Sequence, residues 1–215
     1  DAAESLRLSP DPVDRLMARG ARGMTLALMG RGPEALEVLG QVRREFVASD
    51  FLVMLSIIDF AYGAAMLLSG QLAAGVRWTK EAMERFATFG NGILRALGHS
   101  ILGEFYVEML LGPRPSLRII LKNLAFLLSV RPFAAWNARH HLEEAARSAR
   151  EVGHFVILVQ SLVSLGRLAI AKKRADEARR CLEEAREVAE RETLAALGEK
   201  VRRLFAATSS LESSP

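Results

Sequence analysis

Gly23, Gly63 and Gly103 stand forty residues apart, and Gly166 follows after sixty-three, which is forty plus an insertion of twenty-three. A fixed period of that length marks a repeat architecture, in which one small unit recurs and buries its apolar face against the next copy. Twelve residues after the glycine comes a small residue, Ala35, Gly75 and Ala178, with Ala138 in that place in the third repeat once the insertion is counted. Four and seven positions further on come Leu39, Thr79, Leu142 and Leu182, then Val42, Ala82, Ala145 and Ala185. Those spacings define one face of a helix. The last two second helices even read alike, Arg139-His140-His141-Leu142-Glu143-Glu144-Ala145 against Arg179-Arg180-Cys181-Leu182-Glu183-Glu184-Ala185.

Small residues on two helices, about twelve apart across a turn, let antiparallel backbones approach closely, so each repeat is expected to be a helical hairpin. The frame predicts hairpins over about 11–49, 51–89, 93–152 and 155–192, with turns at Arg31-Gly32-Pro33, Gly70-Gln71 and Lys173-Arg174. Asp11 before Pro12 is a helix start, the carboxylate capping free amides and the proline occupying the first helical position. In the third repeat Pro113 and Pro115 interrupt the pattern, and an extra helix over 116–130 is expected before Arg131-Pro132 returns the chain to its frame. A closing helix over 194–206 would cover the last apolar face, as the end of a solenoid requires. Residues 1–10 read as a lead-in, and the serine-rich stretch 207–215 as a disordered tail. The expected fold is therefore all-α, a right-handed α-solenoid of about four hairpins with one inserted helix and a C-terminal cap.

The pattern resembles the tetratricopeptide repeat family, which places Leu-Gly on the first helix and Ala, an aromatic or Leu, and Ala on the second. Leu165-Gly166, Ala178, Leu182 and Ala185 fit it best. The period of forty exceeds that family's usual thirty-four, the early aromatic is missing, and no proline closes each unit. A second resemblance covers roughly residues 90–205. Leu102-Gly103-Glu104-Phe105-Tyr106, the run from Leu121 to Leu128, Arg131-Pro132-Phe133-Ala134 and the run from Ala171 to Cys181 are similar to the C-terminal helical repeats of large bacterial class III adenylate/guanylate cyclases that carry an ATPase module. That resemblance implies a regulatory, non-catalytic domain within a signalling protein, with a peptide, a protein or a neighbouring domain of the same chain as partner. The sensor arm of an ATPase-type transcription regulator is the alternative.

With 215 residues, half of them hydrophobic, the chain can bury a substantial core. Ala, Leu, Arg and Glu dominate over β-branched and aromatic residues, so no sheet is expected. Cys181 is the sole cysteine, which excludes an intrachain disulfide within these residues, and no signal peptide is expected ahead of the first repeat. A cytoplasmic location is the expectation, and the start at Asp1 without a methionine leads us to expect a piece of a longer chain. Phe60 to Val76 carries no charge but is broken at Ser69-Gly70-Gln71 and is too short to span a bilayer. The formal charge of +4 is a mild excess without interleaved aromatics, which argues against nucleic acid.

The most individual stretch is the insertion. Arg114, Arg118 and Lys122 at spacings of four make a basic stripe, Leu117, Leu121, Leu124 and Leu128 line another face, and no acidic residue lies between Glu108 and Glu143. One reading is a docking element for a partner helix and its acidic groups; the other is a helix packed into the solenoid's groove with its cations solvated. Arg19, Asp59, His99 and Gln160, non-core positions of the first helices, are the expected groove residues. His140 and Glu144 share a helix face, but two ligands do not make a metal site. Cys181, beside Leu182, reads as a small buried hydrophobe rather than a nucleophile. No phosphate-binding loop and no catalytic constellation is present in the sequence, so no cofactor is expected.

Overall fold

A computed structural model describes residues 11–49 and 52–212; the lead-in over 1–10, the junction at 50–51 and the last three residues of the tail lie outside them. The described residues are all-α. Helices run α1 Pro12–Leu28, α2 Gly32–Ser49, α3 Leu52–Leu68, α4 Leu72–Thr88 and α5 Gly92–Leu111. The insertion follows as α6 Leu117–Lys122, α7 Leu124–Val130 and a 3-10 turn Arg131–Phe133, and then come α8 Ala134–Glu151, α9 Phe155–Ala171, α10 Ala175–Arg191 and α11 Ala195–Glu212.

The ends of these helices repeat as faithfully as the sequence does. At α1 the amide of Asp11's second neighbour, Val13, donates to Asp11 Oδ1 at 2.8 Å, with Pro12 at the first position. At the other end Gly30 turns left-handed at φ +77°, its N–H donates to Ala27 O, and Arg31 N–H reaches back to Leu26 O. This six-to-one and five-to-two pair is the Schellman closure. It recurs after α3, where Gln71 donates to Met66 O, after α8, where His154 donates to Ala149 O, and after α9 and α10. In those last two, Lys173 at φ +55° and Thr193 at φ +53° occupy the left-handed position that glycine fills elsewhere.

The described residues form two compact units, those up to 90 together with 115–126, and 91–114 together with those from 127 on. In the first, α1 packs on α2, α2 on α3, α3 on α4, and α1 also touches α3. In the second, α5 packs on α8, α8 on α9, α9 on α10 and α10 on α11, with α5 against α9 and α9 against α11. First helices thus touch the first helix of the next hairpin, as a repeat stack requires. Every hairpin makes the contact its sequence frame encodes. A Cβ on Gly23 would lie 2.6 Å from Leu39 Cγ, on Gly103 2.6 Å from Leu142 Cγ, and on Gly166 2.9 Å from Leu182 Cδ2. In the second hairpin the same atom would meet the Thr79 backbone nitrogen at 2.8 Å. The twelve frame residues of the second helices are all buried.

Two expectations need correction. The insertion is not one helix over 116–130. Asn123 leaves helical geometry at φ −117° and ψ 19°, because its side chain is used elsewhere. Oδ1 accepts from Leu72 N–H at 3.0 Å, capping the uncapped start of α4, and Nδ2 donates at 2.8 Å to Gly70 O and to Ile119 O. Ile119 sits on the bare backbone of Gly70, so this side of α6 is fixed to the α3–α4 turn of its own unit. At the other end, α11 runs to Glu212, through the start of the expected tail. No glycine or proline intervenes before Pro215, so nothing in the sequence stops the helix. Among the described residues no helix is long and apolar enough to cross a membrane.

Candidate functional site

The residues singled out from the sequence do not converge. In the first unit Arg19 donates to Glu45 at 2.7 Å and is half-buried on α1. Asp59 is not a groove residue at all. It is 3 % exposed, and its two carboxylate oxygens are taken by Arg43 Nε at 2.7 Å and Arg85 Nη2 at 2.6 Å, while Arg85 Nε also reaches Ser56 Oγ. Arg43 in turn stacks on Trp78. The lone acid on an apolar helix was legible, but its two cations come from α2 and α4, and only packing brings them to it. The paired carboxylate joins α3 to both α2 and α4.

The basic stripe is shorter than its spacing implied. Arg114 lies in the non-helical stretch before α6, whereas Arg118 and Lys122 share a face of α6, and all three side chains are exposed. The apolar face turns outward instead of packing into a groove: Leu117 is 77 % exposed, Leu121 72 % and Leu124 46 %.

In the second unit His99 leads to a cluster that sequence reasoning missed. His99 of α5 and His141 of α8 face each other with their Nδ1 atoms 3.0 Å apart, so one ring donates and the other accepts. Tyr106, almost fully buried, stacks on His141 at 5.8 Å between centroids. On the outer side His140 lies against both His99 and His141, and Trp136 stacks flat on His140 at 5.3 Å. The result is a run of rings from the core to the surface, ending in an exposed indole. Burial pushes His99 down from its ordinary value to about 4, against the pull of Glu144, with His140, Arg95 and Arg147 adding to the depression. Glu144 is itself held low, first by its hydrogen bond with Arg147. His141 is buried rather than lying on an exposed polar helix face. The signal was available: the forty-residue offset aligns His141 with Cys181, which the same frame puts beside the apolar side.

Gln160 is half-buried on α9 without a role in this cluster. Cys181 is half-buried, and burial, followed by the nearby Glu177 and Glu184, raises its thiol above the ordinary value, which works against a thiolate nucleophile. Among the described residues no group of three or more His, Cys, Asp or Glu is arranged to hold a metal ion. A cleft of about 460 Å³ between α9 and α11 is lined by Arg167, Lys200 and Arg203. Its arginines are already matched, Arg167 with Glu108 at 2.8 Å and Arg203 with Glu199 at 3.0 Å, so an anion would have to displace carboxylates.

The two most individual exposed features are thus a ring stack on α8 backed by the His99–His141 pair, and an outward apolar and basic helix at α6. No protein-family model matches the chain, and no curated protein matches it.

Proposed function

We propose that this chain is a non-catalytic interaction domain of tetratricopeptide-like helical repeats, acting as the regulatory part of a larger signalling protein of the adenylate/guanylate cyclase type. The observation that supports binding is the outer face of α8 and its lead-in. Phe133 and Trp136 are 62 % and 65 % exposed, yet Trp136 is held flat against His140. Large aromatics that are exposed and already ordered lose little side-chain entropy on being covered, which is why such residues anchor protein interfaces. The opposite face of the same helix, Ala138, Leu142 and Ala145, is fully buried, so the anchor stands on a fixed support. The cyclase parent rests on the residue resemblance over 90–205 alone.

The test replaces Trp136 with a photo-crosslinking aromatic residue in the 215-residue chain and identifies the protein captured. Phe133→Ala should lower the yield at least tenfold with helicity unchanged. Capture that ignores Phe133, or no capture by any variant, removes the α8 face as the anchor. For the cyclase assignment, the same substitutions in the parent chain should change its cyclic-nucleotide output; an unchanged output defeats that part of the reading while leaving the binding face to stand on its own capture data.

A further inference from the structure

We infer that α6 of the first unit is a peripheral attachment point for an anionic lipid surface. Three faces of this short helix have different assignments. Ile119 and the following Asn123 are committed inward, to the bare backbone of Gly70 and to the start of α4. Leu117 and Leu121, four apart, face outward and are 77 % and 72 % exposed, and Leu124, the first residue of α7, is 46 % exposed. Arg118 and Lys122 flank them, both exposed, and neither makes an ion pair among the described residues.

Charge decides the chemistry of the occupant. On α6 itself the only charged side chains are Arg118 and Lys122, both cationic and without a carboxylate partner among the described residues, in a protein that pairs most of its arginines with glutamates. The occupant must therefore bring negative charge, and it must also accept apolar side chains. Shape then separates a lipid surface from an acidic partner helix. Leu117 and Leu121, one helical turn apart, project with more than two thirds of their surface open. Protruding leucines beside cations suit a soft acyl boundary under a layer of anionic headgroups, whereas a partner helix needs a groove to lie in. The Asn123 clamp gives the rest: the helix is held on a folded unit, so inserting its leucines costs no ordering of the segment. Such a contact is reversible and lies on the bilayer rather than across it.

The 215-residue chain should float with phosphatidylcholine vesicles that contain phosphatidylglycerol and stay behind with phosphatidylcholine alone. Replacing both cations (R118Q/K122Q) should lower the partition coefficient roughly twenty-five-fold, at about fivefold per cation. L117S/L121S, at exposed positions that leave the fold and its melting unchanged, should lower it at least tenfold, and raising the salt should release the protein. Equal flotation of wild type and both variants, or no flotation on anionic vesicles, overturns the proposal. So does saturable binding of a designed amphipathic Glu/Leu helix that needs the same four residues while vesicles are ignored, since the surface would then belong to a protein partner.

Discussion

Replacing Gly63 by alanine tests the repeat frame at its most demanding point. In a helix interior alanine is favoured over glycine by about 1 kcal/mol, so on propensity alone the change should stabilise α3. The new Cβ, however, would lie 2.8 Å from both the backbone nitrogen and the Oγ1 of Thr79, and 3.1 Å from Trp78 Cβ. In the first, third and fourth hairpins the corresponding atom would meet a leucine side chain first. Here it meets the main chain of α4, so relief requires the two helices to separate. Overpacking of that kind costs about 3 kcal/mol at the upper end of its usual range, which leaves a net loss of about 2 kcal/mol. Gly198 in α11 provides the matched control, since nothing lies within 4 Å of its Cβ position. Gly198→Ala should gain up to about 1 kcal/mol by the same propensity. Urea unfolding monitored by circular dichroism would read both, and the two chemically identical changes should differ by about 3 kcal/mol in opposite directions. If Gly63→Ala is as stable as Gly198→Ala, close approach of the two backbones is not what the forty-residue glycine encodes.

Asp59→Asn should destabilise the first unit by about 3 kcal/mol, because two guanidinium groups lose their charge partner at a buried site, whereas Glu34→Gln in the exposed pair with Arg31 should leave the unfolding midpoint where it is; chemical denaturation separates the two. His99 gives a pH dependence with a defined sign. Its folded-state value is lowered from 6.5 to about 4, so the unfolded chain takes up the proton first, and stability falls as the pH drops from the ordinary histidine value towards 4. With the ring partly open to solvent the loss should be about 2 kcal/mol rather than the full shift. The urea midpoint of His99→Gln should accordingly vary less than that of wild type between about pH 7 and pH 4.5, and parallel profiles would count against the pair.

The helices and their pairing were legible because glycine, a small residue, leucine and alanine recur at positions where a backbone must approach a backbone. Steric exclusion leaves a strong sequence trace. Electrostatic pairing leaves a weak one: Asp59 looked like a groove residue because its partners, Arg43 and Arg85, lie sixteen and twenty-six residues away on other helices. The insertion was visible as a break of frame, yet its bend at Asn123 depends on a turn more than fifty residues earlier. Arg114 and Lys122 shared a spacing but not a helix, since Pro115 ends one possibility before Leu117 begins the next. Trp136 was hidden for the opposite reason, because exposure of a large aromatic runs against the rule by which cores are guessed.

The Asn123 clamp also orders events during synthesis. The amide of Leu72 receives its cap from a side chain fifty-one residues downstream, after the whole of α5 has been made. A chain leaving the ribosome can thus close the turn between α3 and α4 with its own backbone bonds long before the Leu72 amide meets its side-chain acceptor. Until Asn123 emerges, that first amide of α4 is left to water, as the free N–H groups of an uncapped helix start are.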